Sequence, residues 1–208
     1  VKYYLSGDVV GNYAAASRFA RIPYFLFFGL SATVLPGISR ALSKNDRPRG
    51  VSIIRTAVRF MFMAVLPLCL LSLTYGREIL HVILPEYVYA GIIFQILVWG
   101  LSLLAFFYLL TTIINADNRP RISFLLTVTG VIFDIFLNAV LVPRFGYQGA
   151  AAATIISLVI VCFGGVLFVY RKFGHIIPAG SAVRITLCSA AVFLISLFFR
   201  VRGNKNEP

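Results

Sequence analysis

From Tyr87 to Ala116 the chain carries no charged side chain. That leaves few folds open. A helix that crosses a bilayer needs about 20 mostly apolar residues, whereas a membrane barrel strand needs about 9–11 alternating ones. The run is too long and too continuous for a strand, so it predicts a spanning helix over Gly91–Asn115. Five further segments follow the same pattern: Asn12–Pro36, Ala57–Tyr75, Ile122–Val142, Gln148–Tyr170 and Val183–Phe199. The expected fold class is therefore all-α, a polytopic integral membrane bundle of about six transmembrane helices. Pro23 and Pro67 fall inside these spans, where a missing backbone donor can kink a helix. A further short helix lying in the interface is expected between Gly76 and Gly91.

The chain is 60% hydrophobic and 12% charged, yet its formal net charge is +12. A basic excess of this size points toward nucleic acid in a soluble protein. Here the position of the charges gives a different reason for it, and no nucleic-acid partner is expected. Arg40, Lys44, Arg47, Arg49, Arg55 and Arg59 surround the first connection. Arg119 and Arg121 lie in the third, and Arg171, Lys172 and Arg184 around the fifth. The opposite side holds only Lys2, Arg77 and Arg144. Lys and Arg concentrate in cytoplasmic loops, so loops near 37–56, 116–121 and 171–182 are expected in the cytoplasm. The chain is expected to be multi-pass in the cell inner (cytoplasmic) membrane. Arg200, Arg202 and Lys205 run against this bias, because six spans would place the C-terminal tail outside.

Cys69, Cys162 and Cys188 all fall in apolar runs and read as small packing residues. His81 and His175 have no Cys, Asp or Glu at metal-ligand spacing. No metal or other cofactor is implied. The chain shows no phosphate-binding glycine loop followed by Lys, no nucleophile elbow and no HExxH, so it does not read as an enzyme.

Charges at membrane depth cost about 2.5–3.5 kcal/mol each on insertion scales, so they need a wet cavity, a partner or a route to the surface. Arg18 and Arg21 lie about one turn apart on the first span, among Ala14, Ala15, Ala16, Ser17 and Ala20. One placement makes them a cationic wall that receives an anionic group, for which the guanidinium fork is suited. The other puts both at the outer interface. Asp134 sits midway along the fourth span with Asn138 one turn on. The pair reads as a polar clamp between helices, as a partner for the arginines, or as an ion-coupling site. Asn115, Asp117 and Asn118 form a helix stop before Pro120. Arg55 and Arg59 read as positive-inside anchors or as guards of a cavity entrance.

Three stretches occur in a telling order. Gly11-Asn12-Tyr13-Ala14-Ala15-Ala16-Ser17-Arg18-Phe19 continues to Pro23, and Val34-Leu35-Pro36-Gly37-Ile38-Ser39 follows. Then Leu137-Asn138-Ala139-Val140-Leu141-Val142-Pro143 leads through Arg144-Phe145-Gly146-Tyr147-Gln148 to Gly149-Ala150-Ala151-Ala152-Ala153-Thr154. The chain from about Gly11 to Arg171 thereby resembles the MOP superfamily of lipid-linked oligosaccharide flippases and drug exporters. Within it the chain looks most like the Wzx-type polysaccharide repeat-unit flippases. The resemblance implies two six-helix bundles facing a central, often cationic cavity, with alternating access. It makes residues 13–200 a six-helix membrane lobe, the C-terminal one. Residues 1–12 become an outer loop and the tail of a missing preceding helix, and 201–208 a polar tail. The implied partners are an undecaprenyl-pyrophosphate-linked oligosaccharide, membrane lipid and a missing N-terminal lobe of the same protein. Arg18 falls on the motif, which implies a role in meeting the pyrophosphate or an acidic sugar. Arg21, Asp134 and Asn138 are the further substrate-binding candidates. A drug or cation antiporter of the same superfamily, a membrane polymerase or ligase, and a structural membrane subunit are the competing readings.

Overall fold

In the computed structural model of the chain, residues 7–83, 91–174 and 179–203 are described, and all their regular elements are α-helices. In chain order these are α1 (Gly7–Ser43), α2 (Arg47–Ile83), α3 (Gly91–Ala116), α4 (Pro120–Phe173) and α5 (Ala179–Gly203).

Two turns of the same design join α1 to α2 and α3 to α4. Asn45 takes φ 56°, and the backbone N–H groups of Asn45 and Asp46 donate to the carbonyls of Leu42 and Ala41 at 3.0 and 2.9 Å. Asn118 takes φ 58°, and Asn118 and Arg119 donate to Asn115 and Ile114 at 3.0 and 3.3 Å. Each is a Schellman closure, with asparagine supplying the left-handed residue more cheaply than a β-branched side chain would. Asp46 then accepts the Arg49 N–H at 3.2 Å and caps α2, while Pro120 opens α4 where its missing donor costs nothing. The stop expected at Asn115–Asn118 is thus present. The loop expected over 37–56 is not: helix runs through Ser43 and resumes at Arg47, leaving a turn of Lys44–Asp46. Basic composition suggested an open loop there, but local capping chemistry shortens it.

Helix α4 is a hairpin. Gly146 has φ 58° and ψ −134°, a conformation open to glycine, and it follows Pro143. The Ser157 hydroxyl donates to the Asp134 carboxylate at 3.2 Å. A Cβ on Gly130 would lie 3.0 Å from Val161, and one on Gly164 would lie 3.0 Å from Leu126. As one partner moves toward the turn so does the other, which defines antiparallel limbs, Pro120–Gly146 and Gln148–Phe173. These correspond to the fourth and fifth expected spans.

Helix α2 departs from helical geometry at Tyr75 (φ −117°, ψ 18°) and continues to Ile83. A break of this kind leaves carbonyls of the preceding turn without their i+4 donors. The Gln95 amide of α3 donates to one of them, Leu73, at 3.3 Å. Gly76 makes room for it, since a Cβ there would lie 2.6 Å from Gln95 Cγ. The segment after the kink is where an interfacial helix was expected; its far side, 84–90, lies outside the described residues.

Helix α3 is the centre of the bundle. It packs against α1, α2 and α4, while α5 lies against α2. Leu109, Leu110, Ile113 and Ile114 of α3 are fully enclosed, with Ile38 of α1, Ile54, Val58 and Met61 of α2, and Val169 of α4 around them. Phe28 of α1 stacks on Tyr108 of α3 at 4.6 Å between ring centroids. Cys69 and Cys162 are buried, as packing residues should be; Cys188 is exposed. The outer limb of α4 is different. Nothing in its most apolar stretch is buried, and Phe124, Leu125, Ile132, Ile135 and Phe136 are exposed. Water would penalise such a surface, whereas lipid tails are as apolar as the side chains.

Among the described residues, four segments are long and apolar enough to cross a membrane: Arg47–Gly76, Phe94–Ala116, Pro120–Gly146 and Gln148–Phe173. Helices α1 and α5 run over the first and sixth expected spans, α5 contributing the shorter apolar helix Val183–Leu194.

Candidate functional site

Helices α1 and α4 both lie against α3 but not closely against each other. The gap between them is a cavity of about 320 Å³. Arg21 of α1 stands on one wall and Asn138 of the outer α4 limb on the other. Gly100, Ala150 and Ala151 make the room, Leu97 and Leu101 provide an apolar floor, and Thr154 adds a hydroxyl. The small residues that the motif places after the hairpin turn therefore do two things: they let the limbs approach each other, and they leave space at the cleft.

The Asn138 amide donates to the backbone carbonyl of Asp134 at 2.8 Å. An amide has two N–H donors and one acceptor oxygen. One N–H and the oxygen are thus left without a protein partner among the described residues. A cation, an amide and a hydroxyl over an apolar floor suit an anion with attached hydroxyl groups. The volume is near the lower end of the ~300–1,000 Å³ common for ligand pockets. It matches a head group or one ring better than a chain of sugars.

Of the four candidate residues, the structure brings Arg21 and Asn138 to one cavity. Arg18 is exposed one turn from Arg21 and does not line that cavity. Asp134 is half-buried, and its carboxylate accepts the Ser157 hydroxyl across the hairpin, the geometry of a clamp between limbs. Among the described residues it forms no ion pair with either arginine.

The other end of the bundle holds a cluster that sequence reasoning read only as a helix stop. Asp117, whose side chain is 9% exposed, pairs with Lys172 at the end of α4 and with Arg119 Nε at 3.4 Å. The Arg47 guanidinium, at the start of α2, donates to the Lys172 carbonyl. The two Asn-closed turns and the end of α4 are thereby gathered at one end of the molecule. The sequence did contain a signal, since Asp117 is the one acid in a connection whose other charges are arginines.

Fold and cleft together define a polytopic, all-helical membrane protein with a cation on the wall of an internal cavity. The chain belongs to the family described as Lipid II flippase MurJ, whose profile matches residues 4–201, and so to the MOP-superfamily flippases. It is 27% identical over 158 residues to the probable low-salt glycan biosynthesis flippase Agl15 of Haloferax volcanii, covering 76% of this chain and 34% of that one. It is 26% identical over 202 residues to the probable flippase AglR of the same organism, covering 94% and 42%. An uncharacterized membrane protein of Methanocaldococcus jannaschii, MJ1068, is 25% identical over 175 residues, covering 83% and 34%. The chain thus spans about a third to two-fifths of the length of these curated relatives. No solved structure matches.

Proposed function

We propose that this chain is one lobe, the C-terminal one, of a transporter that flips an undecaprenyl-pyrophosphate-linked oligosaccharide across the cytoplasmic membrane for polysaccharide biosynthesis. The observation that carries the reading is Arg21 on the wall of a cavity whose other polar side chains are Asn138 and Thr154. A pyrophosphate crossing lipid needs a wet path with fixed positive charge. Arg21 supplies the charge, with Arg18 one turn away to extend it, and the Asn138 amide and Thr154 hydroxyl supply partners for sugar hydroxyls. The greater length of the flippase relatives supports a second lobe facing the cleft. Rocking of two such lobes exposes the cleft to one side and then to the other.

The antiporter alternative needs a carboxylate free to titrate in the cavity. Asp134 instead faces Ser157 across the hairpin, so the flippase reading is the better supported. A polymerase or ligase would carry its chemistry in a large extracytoplasmic loop, and the described connection at the outer end is the tight turn at Gly146. The transport test is made in cells whose copy of this protein is depleted. Lipid-linked glycan is expected to accumulate where an external glycosidase cannot reach it. Unchanged access of the enzyme to that lipid would remove the flippase reading.

The gathered turns with Arg47, Arg119 and Lys172 form the end assigned to the cytoplasm, and the hairpin tip at Arg144 the outer end. The outer limb of α4 has 27 residues, about 40 Å of helix, enough to separate these ends by a bilayer. Cysteines introduced at Lys44 and Arg144 are expected to react with an impermeant maleimide from opposite sides in intact cells. Labelling of both from outside would overturn the orientation.

A further inference from the structure

A second crevice lies on the far side of the bundle, where α5 rests against α2, and it encloses about 300 Å³. Its walls repeat once per turn on both helices: Arg59, Met63 and Pro67 on α2, and Arg184, Cys188 and Val192 on α5. Eight residues of helix rise about 12 Å, so each wall begins with a guanidinium and continues as a mainly apolar surface for that distance, with the Ser189 hydroxyl among the α5 lining. The two arginines lie at the same end. Arg47 at the start of α2 touches the end of α4, and α5 begins six residues beyond Phe173. Both helices therefore start at the gathered-turn end and carry their arginine nearest to it. Both arginines are exposed. Among the described residues neither has a carboxylate partner.

We infer that this crevice holds an anionic phospholipid of the leaflet at that end, with its phosphate between Arg59 and Arg184 and an acyl chain along Met63, Pro67 and Val192. Charge complementarity selects the occupant. Two unpaired guanidinium groups at the mouth of an apolar slot match a phosphodiester that carries net charge and a tail; a zwitterionic lipid returns part of the attraction through its own cation. The crevice is separate from the Arg21 cavity, which lies between α1 and α4. It would also explain what holds α5, whose packing in this bundle is against α2: the lipid joins the two helices by bonding to both.

Cys188 gives a native reporter, because it lines the crevice and is exposed while Cys69 and Cys162 are buried. The full chain is reconstituted in nanodiscs of phosphatidylcholine, with or without phosphatidylglycerol. Alkylation of Cys188 by N-ethylmaleimide is then followed by intact-mass spectrometry. Surface attraction of about fivefold per arginine gives about twenty-fivefold for the pair, so phosphatidylglycerol is expected to slow labelling by about that factor. The double variant Arg59→Gln with Arg184→Gln is expected to lose the protection, and Arg59→Lys with Arg184→Lys to keep it. Native mass spectrometry should show phosphatidylglycerol retained by the Lys variant and lost from the Gln variant. Equal labelling in both lipid mixtures, or full protection persisting in the Gln variant, overturns the proposal. Protection given only by a polyprenyl diphosphate also overturns it, assigning the crevice to the transported carrier.

Discussion

A Gly149→Ala chain is expected to unfold at a markedly lower temperature than the parent chain and to yield less monodisperse protein. A Cβ at this position would stand 2.3 Å from the Leu141 carbonyl oxygen, 2.6 Å from its carbon and 3.1 Å from the Val142 nitrogen. All three are backbone atoms, so no side-chain rotation relieves the contact. Overpacking a fitted site costs about 1–3 kcal/mol when side chains can adjust. Here the two limbs of α4 must separate at the tip, so about 3 kcal/mol or more is expected, a large share of the 5–15 kcal/mol that holds a typical domain together. Gly146→Ala is expected to cost about 1–3 kcal/mol for a different reason, since its φ of 58° with ψ of −134° strains any residue with a Cβ. Gly29→Ala is the control: it has nothing within 4 Å, sits in α1, and should be neutral or stabilise by about 0.5–1 kcal/mol. Thermal unfolding in detergent and the yield of monodisperse protein measure all three. An unchanged midpoint for Gly149→Ala would show that the hairpin does not close as described.

On the proposed flippase function, Arg21→Ala is expected to reduce translocation of the lipid-linked glycan by about thirtyfold, within the loss that a hydrogen bond to a charged group accounts for. Its guanidinium is exposed on a cavity wall, so the folded state does not depend on it. Amount in the membrane and unfolding midpoint should match the parent chain. Arg21→Lys keeps the charge but loses the two-pronged geometry, and should retain an intermediate rate. Asn138→Ala should slow transport less, because a neutral group contributes about 0.5–1.5 kcal/mol. Arg18→Ala separates two arrangements. A loss equal to that of Arg21 means the substrate meets both arginines; a small loss means Arg18 serves the outer surface. Wild-type rates in both arginine variants would remove the cationic wall from the mechanism. External glycosidase digestion of the lipid-linked pool reads each case.

The residues carried much of this arrangement in plain view. Gly91–Ala116 of the uncharged run is α3, and the Pro143–Gly149 stretch became the hairpin turn. The glycines that made that stretch resemble a family motif are the positions where the backbone tolerates no side chain. What stayed hidden was the order of the helices. In water a stripe of polar residues tells which face is outside. In lipid the outer face is as apolar as the core, so the buried helix α3 and the unburied outer limb of α4 read alike. Pairings across the bundle were hidden for a related reason. Asp134 could have met Arg18, Arg21 or a hydroxyl, and only the fold of the hairpin selects Ser157. Asp117 and Lys172 are 55 positions apart, and nothing in their spacing announces a contact. The basic stretch around Arg47 misled in the opposite sense, because composition described its charge correctly and its helicity wrongly.

The ionic knot at Asp117 has a mechanical consequence. It ties the roots of the α4 hairpin to the neighbouring turns. A hairpin held at its root is a lever. With an arm of about 40 Å, a tilt of about 5° about the knot carries the tip by about 3.5 Å. That is roughly the width of one layer of atoms, obtained without breaking a helical hydrogen bond. Because Asn138 and Ala150 lie near the tip and Lys172 lies at the pivot, such a swing changes the width of the cleft most where Arg21 stands and least where the charges are locked.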